Sequence, residues 1–260
     1  FTRMAESKQG YYLSDKRIDG SLQSLIFHES SAEHILCYES QVIPGLLQTP
    51  GYARARNIAL LPEATEERTA AAVRTRMERR QILLLPDPAQ FTFFIHEQAL
   101  RIQVGTGQIM HEQLLHLVLT ATLKNVTVRI VPNAAGAFGD AFRVMEFQEH
   151  RSIVYLDSLW IGGLILDDPH HVESYSKLVS VLDAVALDEG QSLEFAARIA
   201  DAYDRGSQGH VTDVVAQEQL QQQRGDGLRG GGVAEEQPQP RRGNGLRGGG
   251  LVEPPTPIYE

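Results

Sequence analysis

Two histidine-containing strings are the first candidates for chemistry in this sequence of 260 residues: HEQAL begins at His96 and HEQLLH begins at His111. A zinc protease places two histidines one helical turn apart around a general-base glutamate. Leu100 stands where the first string would need its second histidine. His116 follows His111 by five residues, which is about 140° away around a helix of 3.6 residues per turn. We therefore expect no metal site, a polar pair at a strand end for His96 and Glu97, and exposed or rim positions for His111 and His116.

Other reactive residue types lack the neighbours that chemistry would need. In the string Asp167–His171, Asp168 before Pro169 favours a helix start over a metal site, because proline suits the first helical position. The lone cysteine, Cys37, has no sequence-local base and is expected to be buried. No nucleophile elbow, P-loop or dinucleotide-binding glycine motif occurs. The sequence thus predicts no catalytic residue, no metal and no cofactor.

One set of polar and aromatic residues could instead line a ligand pocket. The loop Gly136–Asp140 could cover a cavity, with Tyr155, Asp157 and Trp160 on or just after a neighbouring strand. The alternative is that Tyr155 and Trp160 are core or sheet-face residues. The full candidate pocket is His96, Glu97, Arg101, Tyr155, Asp157 and Trp160.

A basic helix is predicted over Thr65–Leu85, with Thr65 as its N-cap. Its apolar side is formed by Val73, Met77 and Leu84, and its basic side by Arg68, Arg74, Arg76, Arg79 and Arg80. The basic side is either a solvated face with ion pairs to neighbouring glutamates or a docking surface for an acidic partner.

The remaining periodicity indicates an α+β fold: a helical N-terminal part, a small and mostly antiparallel sheet packed by helices, and C-terminal helices. The predicted helices are Ser21–Tyr38, Leu46–Leu60, Gln108–Lys124, His170–Leu187 and Ser192–Tyr203, with a break at Pro44-Gly45 and Thr49-Pro50 near the start of the second. The predicted strands are Phe91–Ile95, Val126–Val131, Phe142–Phe147 and Ile153–Leu156.

Composition divides the chain into a segment 1–20, a domain 21–205 and a tail 206–260. The tail is rich in Gly, Arg, Gln and Pro and is expected to be disordered or extended. RGDGLRGGGV at Arg224 recurs as RGNGLRGGGL at Arg242, eighteen residues later. The repeat is either duplicated low-complexity sequence without function or a pair of linear motifs for a symmetric partner.

Charge and hydropathy restrict the class of protein further. A formal net charge of −9 at pH 7 opposes binding to a phosphate backbone, so we expect no direct nucleic-acid binding. No apolar run is long enough to cross a membrane. A single cysteine and no apolar leader indicate a reducing, cytoplasmic location.

The stretch from Tyr38 to Arg56, YESQVIPGLLQTPGYARAR, together with EQALR at Glu97 and VTVRIVP at Val126, resembles a known family. The chain is similar, over roughly Lys8 to Tyr203, to the C-terminal domain of actinomycete antitoxin-like transcriptional regulators, in which an XRE-type helix-turn-helix precedes this domain. That resemblance implies a non-catalytic protein-interaction and ligand-sensing module in a toxin–antitoxin-like circuit, with a small protein as its partner. His96 replaces the aspartate common in the family, and Asp157 replaces a glutamate. Only thirty-seven residues precede Tyr38, and most align with this domain, so we expect the helix-turn-helix to be absent here.

Two functions remain open at this point. The first is partner binding, with a homodimer as a further assembly, through Ile43, Pro44, Leu47, Tyr52, Arg74, Arg76, Arg79 and Arg80. The second is a cofactor-independent enzyme or small-molecule-binding protein of a biosynthetic cluster that uses the candidate pocket. A closed cavity where the pocket residues converge would favour the second function, and a solid core with exposed apolar or basic surface would favour the first.

Overall fold

A computed structural model describes residues 11–14, 20–136, 138–158 and 162–206. The tail from residue 207 on, with its duplicated motif, and Trp160 lie outside the described residues. The helices are α1 Gly20–Ser31, α2 Pro50–Leu60, α3 Glu66–Arg79, α4 Glu97–Arg101, α5 Gly107–Thr120, α6 Pro169–Val185 and α7 Glu189–Gly206. Short 3₁₀ helices span Gly45–Leu47, Arg80–Leu84 and Asn133–Ala135. The strands are β1 Tyr11–Ser14, β2 His34–Glu39, β3 Gln90–His96, β4 Val126–Val131, β5 Phe142–Glu146, β6 Ile153–Ser158 and β7 Gly162–Leu166.

The strands form a single seven-stranded sheet in the order β1-β7-β6-β5-β2-β3-β4. Four of its six neighbouring pairs are antiparallel, whereas β2-β3 and β3-β4 are parallel. The α+β prediction is therefore confirmed, and the sheet is mixed, with a parallel part that the sequence analysis did not include. The prediction also lacked β1 and β7, which pair with each other at one edge of the sheet.

The predicted helix Ser21–Tyr38 is wrong in its second half. Helix α1 ends at Ser31, and β2 begins at His34 in the middle of the sheet, between β5 and β3. Ile35, Cys37 and Tyr38 are all buried, because both faces of this strand are covered. A short apolar run of this kind fits helical and strand periodicity equally well, and only the tertiary context selects the strand.

Each face of the sheet has its own core. On one face Cys37 and Phe93 pack with residues of α2, α5 and α7, among them Tyr52. On the other face Tyr38 and Phe142 pack under α6. We refer to the first as the helical face, because most of the helices cover it.

Helix starts follow the sequence signals closely. Thr49 and Thr65 accept hydrogen bonds from the backbone amides of Tyr52 and Arg68, as N-caps of α2 and α3. Asp168 accepts from the amide of His170 at 2.9 Å, so its predicted role as a cap is confirmed. Among the described helices, none combines the length and apolar character that crossing a membrane requires.

Candidate functional site

The predicted ligand pocket divides into two separate places. His96 ends β3 and caps α4, with its Nε2 3.1 Å from the carbonyl oxygen of Gly136. Beside it, Glu97 is buried, and its Oε1 accepts a 2.6 Å hydrogen bond from Arg101 Nε while its Oε2 accepts from the amide of Asn133 at 2.8 Å. These contacts tie the end of β3 to the loop after β4. Glu97 and Arg101 thereby satisfy each other rather than a ligand.

Tyr155 and Asp157 lie on β6, which is separated from β3 by the two strands β5 and β2. Three strand spacings of roughly 4.8 Å put β6 about 14 Å from His96. Tyr155 is a buried residue of the helical face. This position agrees with the alternative interpretation, in which Tyr155 is a core or sheet-face residue. The six predicted pocket residues are therefore not brought together, and Trp160 lies outside the described residues.

Most of the predicted partner-binding residues are also not on a surface. Ile43, Pro44, Leu47 and Tyr52 are buried, because the Pro-Gly break folds this segment into the core instead of displaying it. The Tyr52 hydroxyl accepts from the amide of Ile43 at 3.2 Å. These four residues are structural, and the expectation that they contact a partner directly is corrected.

Helix α3 is turned differently from the prediction. Arg76 and Arg79 point inward, toward the sheet, whereas Leu84, assigned to the apolar side, is 60% exposed. Thr69 and Leu83 complete the inward side. The prediction that the basic side of this helix is a solvated face is therefore wrong for Arg76 and Arg79.

The other two predicted partner arginines occupy intermediate and exposed positions. Arg80 has its Nη1 3.1 Å from His116 Nε2 and also donates to the carbonyl of Gln48 at 3.4 Å. Arg74 is exposed and lines a mainly apolar surface groove of about 350 Å³ between α2 and α3. Of the four arginines predicted to bind a partner, Arg74 is therefore the one that is exposed on the surface.

The inward arginines belong to a charged cluster at the carboxyl end of β2, between the helical face and helices α1 to α3. This arginine cluster consists of Arg56, Arg76, Arg79 and Arg143 together with the carboxylates of Glu29, Glu39 and Asp157. Each of these charged groups interacts electrostatically with at least one other member of the cluster. It brings together residues of α1, α2, α3, β2, β5 and β6.

The floor of the arginine cluster is the pair Glu29–Arg79. Glu29 Oε2 lies 3.1 Å from Arg79 Nε, and the two side chains are 0% and 8% exposed. The geometry of this contact does not meet the angle that a hydrogen bond requires, so the two groups attract each other chiefly as opposite charges. Burial lowers the pKa of Arg79, and Glu29 acts in the opposite direction. Gly45 leaves room for this guanidinium, because a Cβ there would lie 3.1 Å from Arg79 Nη2.

The sheet side of the cluster is built on Arg143. Its Nη2 lies 3.7 Å from Glu39 Oε1, and its guanidinium carbon lies 5.6 Å from the centre of the Tyr155 ring. Gly163 on β7 makes space for that ring, since a Cβ at this position would be 2.3 Å from the Tyr155 hydroxyl oxygen. Burial raises the pKa of Glu39, while the guanidiniums of Arg143 and Arg56 act in the opposite direction.

The open side of the cluster holds Arg56 and Arg76, both only half-buried. Arg76 Nη1 donates to Gln48 Oε1, and Gln48 is itself fixed by a 2.7 Å bond from its Nε2 to the carbonyl of Ile43. Burial, followed by the positive charges of Arg56 and Arg79, lowers the pKa of Arg76 to about 10. Arg56 Nε is buried and has no hydrogen-bond partner among the described residues.

Guanidinium groups are the most numerous charged groups of the cluster. Burial raises the pKa of the Cys37 thiol to about 12 and that of Tyr155 to about 12, so neither supplies an anionic nucleophile near neutrality. Guanidinium groups remain protonated in proteins and present several N–H donors to an oxyanion. In the described part of the chain, no group of three or more His, Cys, Asp or Glu side chains could hold a metal ion.

A second feature is a set of exposed leucines on two neighbouring elements, the leucine surface, which consists of Leu84, Leu85, Leu115 and Leu119, between 46% and 67% exposed. The 3₁₀ helix that ends at Leu84 runs beside the C-terminal half of α5, where Arg80 meets His116. Leu115 and Leu119 stand one turn apart on the outer side of α5.

Sequence reasoning missed Glu29, Glu39 and Arg143 as site residues. Arg143 offered the one usable signal, because it is a charged residue between Phe142 and Val144 in a predicted strand. In a strand covered on both faces, such a residue must find a buried counter-charge. Glu29 carried no comparable signal, because its position in α1 looks like an ordinary polar helix site.

The described domain thus combines a mixed α+β sheet with a largely buried arginine cluster and a set of exposed leucines. Residues 22–198 match the family described as Domain of unknown function (DUF5753), and the chain belongs to this family. A comparison with curated proteins finds no match.

Proposed function

We propose that this chain is the non-catalytic interaction and ligand-sensing domain of an antitoxin-like transcriptional regulator, and that it binds a small partner protein. The family match supports the domain type, because the regulators that the sequence resembles carry such a domain. The observation that carries partner binding is the leucine surface. A regulator of transcription acts in the cytoplasm, and the single cysteine of this chain is free and buried, as suits a reducing compartment.

The leucine surface has the composition of an interface core. Scattered exposed leucines are normal in soluble proteins, whereas neighbouring ones mark interaction sites. Here two pairs of leucines lie on adjacent elements, and Leu119 is 67% exposed. The neighbouring Arg80 and His116 provide a polar border, which is the usual arrangement around an apolar centre.

In the regulators that the sequence resembles, the small partner protein is encoded nearby, so the test is a binding measurement that uses the product of the neighbouring small gene as the probe. The variant Leu115→Asp/Leu119→Asp places two charges on the leucine surface without altering a buried residue. The matched control is Val181→Asp/Val185→Asp, since these valines are also one turn apart and are 48% and 36% exposed on α6. Isothermal titration calorimetry should show binding to the unaltered chain and to the valine variant, and a loss of at least about tenfold in the leucine variant.

Two results would contradict the proposal. In the first, the small protein does not bind the unaltered chain at all. In the second, both double variants bind equally well, which would place the interface elsewhere. Circular dichroism of each variant establishes that the fold is retained before the affinities are compared.

A further inference from the structure

We propose that the arginine cluster is a binding site for the oxyanion group, carboxylate or phosphoryl, of a small molecule. This inference deepens the ligand-sensing part of the proposed function, on which it rests, by naming the ligand chemistry and the residues that take it. Arg56 and Arg76 are the groups that contact the anion, and Arg79 and Arg143 support them from below.

Among the residues that the structure describes, positive charges outnumber negative ones in the cluster. Four guanidiniums face the three carboxylates of Glu29, Glu39 and Asp157. Glu29 lies 3.1 Å from Arg79 and Glu39 lies 3.7 Å from Arg143. A buried surplus charge is unfavourable unless an opposite charge joins it.

Neighbouring guanidiniums repel one another in the upper part of the cluster. Arg56 and Arg79 both act on Arg76 as unfavourable charges in addition to the effect of burial, while Asp157 acts in the opposite direction. An oxyanion placed between Arg56 and Arg76 would convert that repulsion into two attractions. Arginine suits this role because its planar fork matches carboxylate and phosphoryl oxygens.

The Nε–H group of Arg56 is a hydrogen-bond donor without an acceptor among the described residues. Its nitrogen atom is buried. Arg76, by contrast, is held in place through Gln48 and the carbonyl of Ile43. Arg56 therefore offers a hydrogen-bond donor beside the guanidinium of Arg76, which is already held in position. Such a preorganised pair reduces the cost of ordering side chains when an anion binds.

The upper part of the cluster keeps some contact with solvent. Glu29 and Arg79 form a closed floor, whereas Arg56 and Arg76 are half-buried and Asp157 is exposed. Part of the two upper arginine side chains therefore lies at the surface. A purely structural cluster would gain nothing from this partial exposure, because buried ion pairs contribute little net stability.

The experiment is a titration of the full chain with sodium phosphate or sodium acetate, with sodium chloride holding the ionic strength constant. Two-dimensional NMR of the arginine Nε–Hε groups follows Arg56 and Arg76 directly, and the melting temperature follows binding by linkage. We expect saturable shifts of both signals and a higher melting temperature than in chloride alone. Tighter binding of phosphate assigns a phosphoryl ligand, and tighter binding of acetate assigns a carboxylate.

The variants are Arg76→Gln and Arg56→Lys, and the matched control is Arg68→Gln, which is exposed on the same helix α3. The first two should weaken binding by about tenfold or more, and the control should bind as the unaltered chain does. Arg56→Lys keeps the charge and protects the fold while removing the planar fork. If Arg76→Gln fails to fold, Arg56→Lys alone decides.

The inference is overturned if neither anion shifts the two signals beyond the effect of chloride, or if Arg68→Gln loses as much affinity as the cluster variants. The variant Leu115→Asp/Leu119→Asp separates partner binding from anion binding. It should keep anion binding while losing the partner protein, so failure at one site leaves the result at the other intact.

Discussion

Arg79 Nε lies 3.1 Å from Glu29 Oε2, and this contact joins α3 to α1 beneath the sheet with almost no access to solvent. We expect Glu29→Gln to lower the free energy of unfolding by about 3–5 kcal/mol, because it leaves a buried guanidinium without its counter-charge. Urea unfolding at pH 7 measures this change. The exposed pair Arg54–Glu66, joined at 2.5 Å, is the control, and Arg54→Gln should leave stability almost unchanged.

The double variant Glu29→Leu/Arg79→Met tests the same relationship from the other side. Removing both charges and filling the space with apolar atoms should recover most of the loss caused by Glu29→Gln. A double variant as unstable as the single one would mean that the cluster contributes stability through contacts other than this charge pair.

Close packing at Gly163 predicts a second effect. We expect Gly163→Ala to destabilise the protein by about 1–3 kcal/mol, because the new methyl group would overlap the Tyr155 ring and force it to move. Thermal unfolding measures the loss. Gly190→Ala is the control, since its nearest neighbour, a carboxylate oxygen of Asp188, would be 3.5 Å away and alanine favours the helix. Equal melting temperatures for the two variants would be incompatible with the packing described here.

His116 predicts a pH dependence of stability. Burial, followed by the positive charge of Arg80, lowers the pKa of His116 from its ordinary value of 6.5. A depressed pKa in the folded state means that stability is fully present above 6.5 and is lost as the pH falls through the folded value. Denaturant unfolding between pH 5 and 8 should show this loss, and His116→Gln should make it smaller. An identical pH profile for the variant would exclude His116 as its source.

Cys37 predicts slow reaction with thiol reagents. Burial raises the pKa of its thiol from 9.0 to about 12, which reduces the thiolate fraction about a thousandfold at a given pH. A disulfide reagent at pH 8 should therefore label the native chain very slowly and the urea-unfolded chain at the rate of a free cysteine. Rapid labelling of the native chain would show that the centre of the sheet opens easily.

The sequence predicted the elements more successfully than their arrangement. Strands β3 to β6 and helices α2, α3 and α5 to α7 were found because their periodicity and caps are local signals, whereas the short helix α4 was not predicted. Strands β1 and β7 were missed, as was the direction of the central strands, since pairing depends on residues far apart in the chain.

The candidate site was the least predictable part. The sequence indicated the basic residues of α3 correctly but placed Arg76 and Arg79 in solvent, because arginines on an amphipathic helix are usually exposed. Their inward position depends on Glu29 and Glu39, which come from other elements. No local pattern links these residues, so the arginine cluster became visible only in three dimensions.

The position of β2 at the centre of the sheet has a consequence for how the chain acquires its structure. Both neighbours of this strand follow it in sequence, since His34 pairs with Gln90 and Tyr38 pairs with Phe142, 56 and 104 residues later. Contacts of such long range make folding slow, and a chain emerging from the ribosome completes its N-terminal parts first. One edge of this apolar strand must therefore stay unpaired until β3 has been made, and the other edge until β5 follows, and each exposed edge is prone to aggregate in the meantime.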